Sequence, residues 1–123
     1  MPKILTTGEK KEEKFLRKKT GYFDFKKFSR KEISDLLQDM KKAMRAANGI
    51  GLSANQIGID LSVFIAEVPD GKGNNKFYSV FNPSLQRTSP EKLPLEEGCL
   101  SVPGIYGVVP RYEKVVLSGF DKN

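Results

Sequence analysis

One amphipathic segment constrains this chain more than any other feature. Within residues 29–48, Ile33, Leu36, Leu37, Met40, Met44 and Ala47 recur at helical spacing and form one apolar stripe. Ser29 and Glu32 make a capping box, in which each side chain satisfies a backbone donor at the helix start. Phe28 and Ile33 occupy the two hydrophobic-staple positions, and Asn48-Gly49 supplies a left-handed stop. The methionines of this helix are therefore core. The sequence after it turns to strands: residues 63–68 and 77–81 are β-branched and apolar runs separated by PDGKGNN, which predicts an antiparallel hairpin. SPEKLP, residues 89–94, reads as a loop, residues 115–117 as a late strand, and Asp121-Lys122-Asn123 as the opening of a turn. The expected class is α+β: a capped helix packed on short antiparallel β-strands in a single domain over residues 1–123.

The 123 residues suffice for one core, and 38% apolar with 29% charged residues fits a folded chain better than a disordered one. No apolar run approaches a membrane span, and the N-terminus has no continuous apolar stretch of the signal-peptide kind. A cytoplasmic location follows as the expectation. The net charge of +6 is uneven: residues 1–50 hold 14 basic against 7 acidic side chains. Such a part can attract nucleic acid or a ribosomal surface, or simply be a solvated face. Acids interspersed among the bases favour the solvated face, and no specific nucleic acid is expected. Phe15, Leu16, Tyr22, Phe23, Phe25 and Phe28 are read as docking this arm on the core, with Pro2 and Gly8 arguing against an early helix.

Two segments carry chemistry. GIGLSANQ, residues 49–56, allows close backbone approach through its glycines and ends in an amide that donates two hydrogen bonds. It does not match a phosphate loop; a peptide-like ligand fits better, though a tight helix-to-strand turn would look similar. EEGCLSVPG, residues 96–104, holds the only cysteine. Cys99 has no disulfide partner, and two acids before it disfavour a redox thiolate. The chain has no histidine, which excludes a Cys-His protease pair. A buried thiol and a metal-coordinating one remain, and coordination is the better chemical role, since a divalent cation ionises a thiol outright.

GIGLSANQ and EEGCLS, in this order and separation, resemble the first and second motifs of peptide deformylases. The stretches ILTTGEKKEEKFLRKK, FNPSL and VPGIYGVVPRYEKVVL are also similar, so the likeness spans nearly the whole chain. It implies hydrolytic removal of the formyl group from the N-formylmethionine of new polypeptides, with release of formate. It also implies a metal, usually Fe(II) and replaceable by zinc, nickel or cobalt, held by the motif-two cysteine and two histidines of a helical HExxH. Carried over by position, Cys99 becomes the metal ligand, and the backbone N–H of Leu100 with the amide of Gln56 become oxyanion donors. Ile50 and Gly51 would align an extended substrate, while Gly49, Leu95 and Glu97 would lie near the pocket for the methionine side chain. Arg111 matches a family arginine and is as readily structural, paired with an acid.

HExxH is missing, because only 24 residues follow Cys99. The expectation is a C-terminally truncated domain without the metal-bearing helix, with apolar sheet surface left open and marginal stability or self-association in isolation. Three explanations stay open: a fragment of a longer product, a third motif supplied in trans, or a formyl-peptide binder without catalysis. A basic module that binds ribosomal RNA through residues 1–50 is the non-enzymatic rival, and a thiol protein using Cys99 is a second.

Overall fold

The computed structural model describes residues 3–112 and 114–121. Two helices, α1 (Lys10–Arg17) and α2 (Arg30–Ala46), precede six strands: β1 (Gly51–Ser53), β2 (Val63–Pro69), β3 (Asn75–Thr88), β4 (Lys92–Cys99), β5 (Val102–Tyr112) and β6 (Val115–Phe120). One sheet has the order β1-β2-β3-β6 and the other is the β4-β5 hairpin; every pairing is antiparallel. The class is α+β.

The anchor helix forms as its sequence dictates. Glu32 N–H donates to Ser29 Oγ at 3.1 Å, and Ser29 N–H donates to Glu32 Oε1 at 3.0 Å. At the other end Asn48 adopts φ 58°, and Gly49 N–H reaches back to Met44 O at 2.9 Å, closing the helix by a left-handed turn. Ile33, Leu37, Met40, Ala43 and Met44 are buried against Leu52, Val63, Ile65 and Phe81 of the large sheet. Each large side chain so covered is worth about 1.5–3 kcal/mol of transfer free energy.

The basic arm docks, largely through its aromatics. Phe23 is fully buried, stacked on Phe28 at 4.5 Å and edge-on to Phe81 at 4.8 Å. Asn82 locks it there: Phe23 N–H donates to Asn82 Oδ1 at 2.8 Å, and Asn82 Nδ2 donates to Phe23 O at 2.9 Å. Tyr22, by contrast, stands exposed.

Three sequence expectations need correction. An early helix does exist, because Pro2 and Gly8 both lie before Lys10, where they cannot break it. Glu12 and Glu13 then suit its first turn, and Arg17 pairs with Glu13 at 3.0 Å one turn apart. β3 runs straight through Asn82-Pro83, since Asn82 takes φ 52° and a register shift between Phe81 and Ser84 absorbs the proline. The SPEKLP segment is a loop only at its start; β4 begins at Lys92 and pairs Pro94 with Pro110. Asp121 follows β6, and the rest of the expected terminal turn lies outside the described residues.

The β4-β5 hairpin and β6 carry much exposed apolar surface, including Leu95, Ile105, Val108 and Phe120. No described helix is long and apolar enough to cross a membrane.

Candidate functional site

The two chemistry-bearing segments meet because each follows a forced chain reversal. After the left-handed stop of α2, β1 enters the large sheet as its edge strand, and a 3-10 turn over Ala54–Ile57 follows at once. Leu52 and Ala54 are buried, which fixes that turn and leaves the Gln56 side chain between core and surface. In the hairpin, Cys99 pairs with Val102, so Leu100 and Ser101 form the connecting turn. Leu100 packs on the core and Ser101 is the buried polar residue of the described chain. Cys99 consequently sits at the turn end of the hairpin, exposed and with a free thiol.

Gln56 joins the two segments. Its Oε1 accepts from Ser53 N–H at 3.0 Å and from Ser53 Oγ at 3.2 Å. Its Nε2 donates to Ser101 Oγ at 3.1 Å and reaches Cys99 Sγ at 3.8 Å. The Ser53 backbone is an obligate donor, so the amide cannot be turned over without losing that bond. Both N–H bonds of Gln56 therefore face the hairpin turn. The sulfur is not sealed in hydrocarbon and does not point away from this amide.

A cleft of about 640 Å³ opens beside the pair, lined on one side by Gly49, Ile50 and Gly51 and on the other by Cys99, Leu100 and Tyr106. Two glycines set its width. A Cβ on Gly49 would stand 2.6 Å from Leu100 Cδ1, and one on Gly98 would stand 2.5 Å from the Tyr106 ring. Any side chain at either position would push the cleft walls. β1 pairs only with β2, so among the described residues its outer edge carries no strand partner. That edge suits an extended peptide laid alongside it.

Leu95 and Glu97 do not line this cleft. Leu95 is exposed on β4, and Glu97 makes a two-pronged ion pair with Arg111, at 2.6 and 2.7 Å across the hairpin. The hydrogen bonds from Arg111 hold the Glu97 carboxyl below the usual carboxylate range, and the same contact raises the guanidinium. Arg111 thus has the acid partner that its alternative, structural role required.

As a metal site the residues are incomplete. The sequence has no histidine and one cysteine, and no group of three His, Cys, Asp or Glu side chains comes together among the described residues. The exposed thiol offers one soft donor, and Glu97 is engaged by Arg111. Sequence reasoning passed over Ser53 and Ser101. Their hydroxyls look ordinary in a small-residue run, and only the fold reveals that both grip Gln56.

The model of the polypeptide deformylase family matches residues 1–123. Peptide deformylase 2 of Streptomyces avermitilis is 43% identical over 89 residues, covering 72% of this chain and 48% of its own length. Peptide deformylase 2 of Ralstonia nicotianae is 40% identical over 103 residues, covering 79% and 58%. This chain therefore spans about half the length of such relatives. Among solved structures, a probable peptide deformylase from Synechococcus phage S-SSM7 superposes with a TM-score of 0.86 at 34% identity, covering 99% of this chain and 78% of that one. A Met-Ala-Ser-bound class I type b peptide deformylase from Acinetobacter baumannii superposes with a TM-score of 0.86 at 25% identity, covering 99% and 77%.

Proposed function

The chain belongs to the polypeptide deformylase family, and from that premise we propose that its cleft binds N-formylmethionyl peptides for hydrolytic release of formate. The observation that carries this reading is the Gln56 amide directed at an exposed thiol, 3.8 Å away, beside an open strand edge. The substrate backbone lies along Ile50 and Gly51, extending the sheet by one strand. The methionine side chain points toward Gly49, on the wall of the cleft opposite Leu100. The Met-Ala-Ser tripeptide held by the Acinetobacter relative supports a ligand of this size and class.

In the reaction, negative charge grows on the formyl oxygen as its carbon is attacked. Gln56 Nε2 and the backbone N–H of Leu100 are the donors aimed at that oxygen, each typically worth about 3 kcal/mol in the transition state. The N–H directed at Cys99 Sγ makes the longer contact and is the one available to an incoming oxygen, since its twin is committed to Ser101.

Cys99 would be one ligand of the cation that the family employs. Iron(II) is the expected ion, with zinc, nickel or cobalt as substitutes. When bound, such an ion polarises a carbonyl and acidifies water. The residues present do not fit a complete site, and weak metal binding is expected of this chain alone.

The test is formate release from formyl-Met-Ala-Ser with iron(II) under anaerobic conditions. It is run on the 123-residue chain and on the chain extended by an HExxH-bearing segment from a relative. Turnover in the extended chain, suppressed by Cys99→Ala and by Gln56→Ala, is the expected outcome. If neither substitution matters, these residue roles are wrong. A second reading, peptide binding without turnover, needs only the cleft and the open edge of β1; saturable binding of the same peptide by the unextended chain supports it. The excess of base in residues 1–50 suits a ribosomal surface in the cytoplasm, checked by salt-dependent co-sedimentation with ribosomes.

A further inference from the structure

The N-terminal arm touches both halves of the candidate site through its backbone. Leu5 N–H donates to the carbonyl of Gln56 at 2.7 Å, and Thr7 N–H donates to the carbonyl of Ser101 at 2.9 Å. In extended chain, alternate N–H groups point to opposite sides. Thr6 N–H therefore points the other way, and it meets Glu12 Oε1 at 3.1 Å. The Glu12 side chain is only 12% exposed, and its second oxygen takes Lys3 Nζ at 3.2 Å. Ile4 packs on the core beside this strap, and Asn55 Nδ2 donates to Leu16 O at 3.2 Å, tying the end of α1 to the turn that carries Gln56.

These contacts have a geometric consequence. Gln56 sits on the 3-10 turn after β1, and Ser101 sits in the β4-β5 turn; the two turns belong to different sheets. No strand pairing joins those sheets among the described residues, so their separation must be set by other contacts. Besides the packing of Leu100 on the core, these include the Gln56–Ser101 side-chain bond and the strap, whose Leu5 and Thr7 hold one turn each at two-residue spacing. An extended chain rises about 3.3 Å per residue, so two residues fix a spacing of roughly 6–7 Å between the carbonyls they hold.

We propose that residues 5–7 are a positioning strap that fixes the spacing between Gln56 and Cys99, and that Glu12 is its latch. The latch works by accepting the Thr6 N–H, which holds the strap in the orientation that aims Leu5 and Thr7 at the site. The ion pair with Lys3, at an end that is 70% exposed, is secondary. The importance of the pair rests on the reading of Gln56 and Cys99 given above, whereas the strap itself is measured without turnover. Failure of one is thereby distinguishable from failure of the other.

The experiment compares Glu12→Ala and Glu12→Gln with the parent 123-residue chain by backbone amide exchange, by NMR of the Gln56 side-chain amide, and by the rate of Cys99 reaction with a disulfide reagent. Ser29→Ala, which removes a helix cap remote from the strap, is the control for general destabilisation. In Glu12→Ala, exchange at Leu5 and Thr7 rises at least tenfold, the two Gln56 amide protons shift toward the positions of a solvated glutamine, and Cys99 reacts several-fold faster. Glu12→Gln keeps an acceptor oxygen and restores all three readouts to within about threefold of the parent. The proposal is overturned if Leu5 and Thr7 stay protected in Glu12→Ala, or if they open while Gln56 and Cys99 do not respond. It is equally overturned if Glu12→Gln behaves like Glu12→Ala, or if Ser29→Ala produces the same three changes.

Discussion

Replacing Gln56 in two ways separates its grip on the turn from its chemistry. Gln56→Ala removes the acceptor of Ser53 N–H at 3.0 Å and of Ser53 Oγ at 3.2 Å, together with the donor to Ser101 at 3.1 Å. A net hydrogen bond is worth about 1 kcal/mol, and the partners left behind are only part-buried, so water meets some of their needs. The longer contacts, to Ser53 Oγ and to sulfur, are discounted. The expected loss is about 2 kcal/mol, at the upper end of the range for loss of a helix cap. Gln56→Glu keeps both Ser53 bonds, now to an ionised acceptor, and the Ser101 hydroxyl can reverse to donate. Its expected loss is below about 1 kcal/mol. As an oxyanion donor, however, a carboxylate is useless, so in the chain extended with an HExxH segment both variants lose about 10²–10³ in formate release. Urea denaturation gives the stabilities and a coupled formate assay gives the rates. If Gln56→Glu is as destabilised as Gln56→Ala, the Ser53 clamp does not hold the turn. If Gln56→Glu still releases formate normally, Nε2 is not the donor.

Other perturbations follow from the same contacts. The Glu97 carboxyl is held low by the hydrogen bonds from Arg111. A depressed folded pKa contributes stability above the unfolded carboxylate value of about 4.3, and that contribution is lost as pH falls through the folded value. NMR titration should therefore find Glu97 titrating below the free carboxylate, and Arg111→Gln should abolish the depression. Gly49→Val forces branched bulk onto Leu100, whose Cδ1 would lie 2.6 Å from the new Cβ; the urea midpoint should fall by the equivalent of about 1–3 kcal/mol, with Leu100 displaced into the cleft. Asn82→Ala removes two bonds to Phe23, of 2.8 and 2.9 Å, and places alanine at φ 52°. About 2 kcal/mol from the bonds and about 1 kcal/mol from the left-handed backbone are expected, with Asn82→Gly sparing the second part in the same denaturation experiment.

What the sequence made legible is what local chemistry decides. The Ser29–Glu32 capping box, the buried stripe from Ile33 to Met44, the Asn48 stop and the β2-β3 hairpin all rest on contacts within a few residues or on one period, and all are present. The α1 helix was hidden by giving Pro2 and Gly8 reach beyond their own positions, although Glu12, Glu13 and Arg17 already suited its two ends. The length of β3 depended on a left-handed Asn82, which a sequence pattern cannot reveal. The candidate site divides in the same way. Gln56 and Cys99 stood out as an amide and a lone thiol in glycine-bearing segments. Leu95 and Glu97, which the deformylase resemblance implied near the methionine pocket, do not line this cleft, because a strand carries residues away at about 3.3 Å each.

The residues that escaped notice share one property: their role depends on two chain segments meeting. Ser101 is unremarkable until Leu100 drops into the core and draws its hydroxyl beneath Gln56. Leu5 and Thr7 act only through backbone N–H groups, which every non-proline residue possesses. Side-chain identity could not have marked them. The same fact bears on how such a site tolerates change. Substitutions at Leu5 or Thr7 that keep an extended backbone should leave the strap bonds intact, whereas proline at either position removes the N–H that holds its turn. Thr7→Pro should therefore free the Ser101 carbonyl and raise amide exchange across Leu100 and Ser101 while Thr7→Val does not, and equal exchange in the two variants would refute a backbone-borne contact.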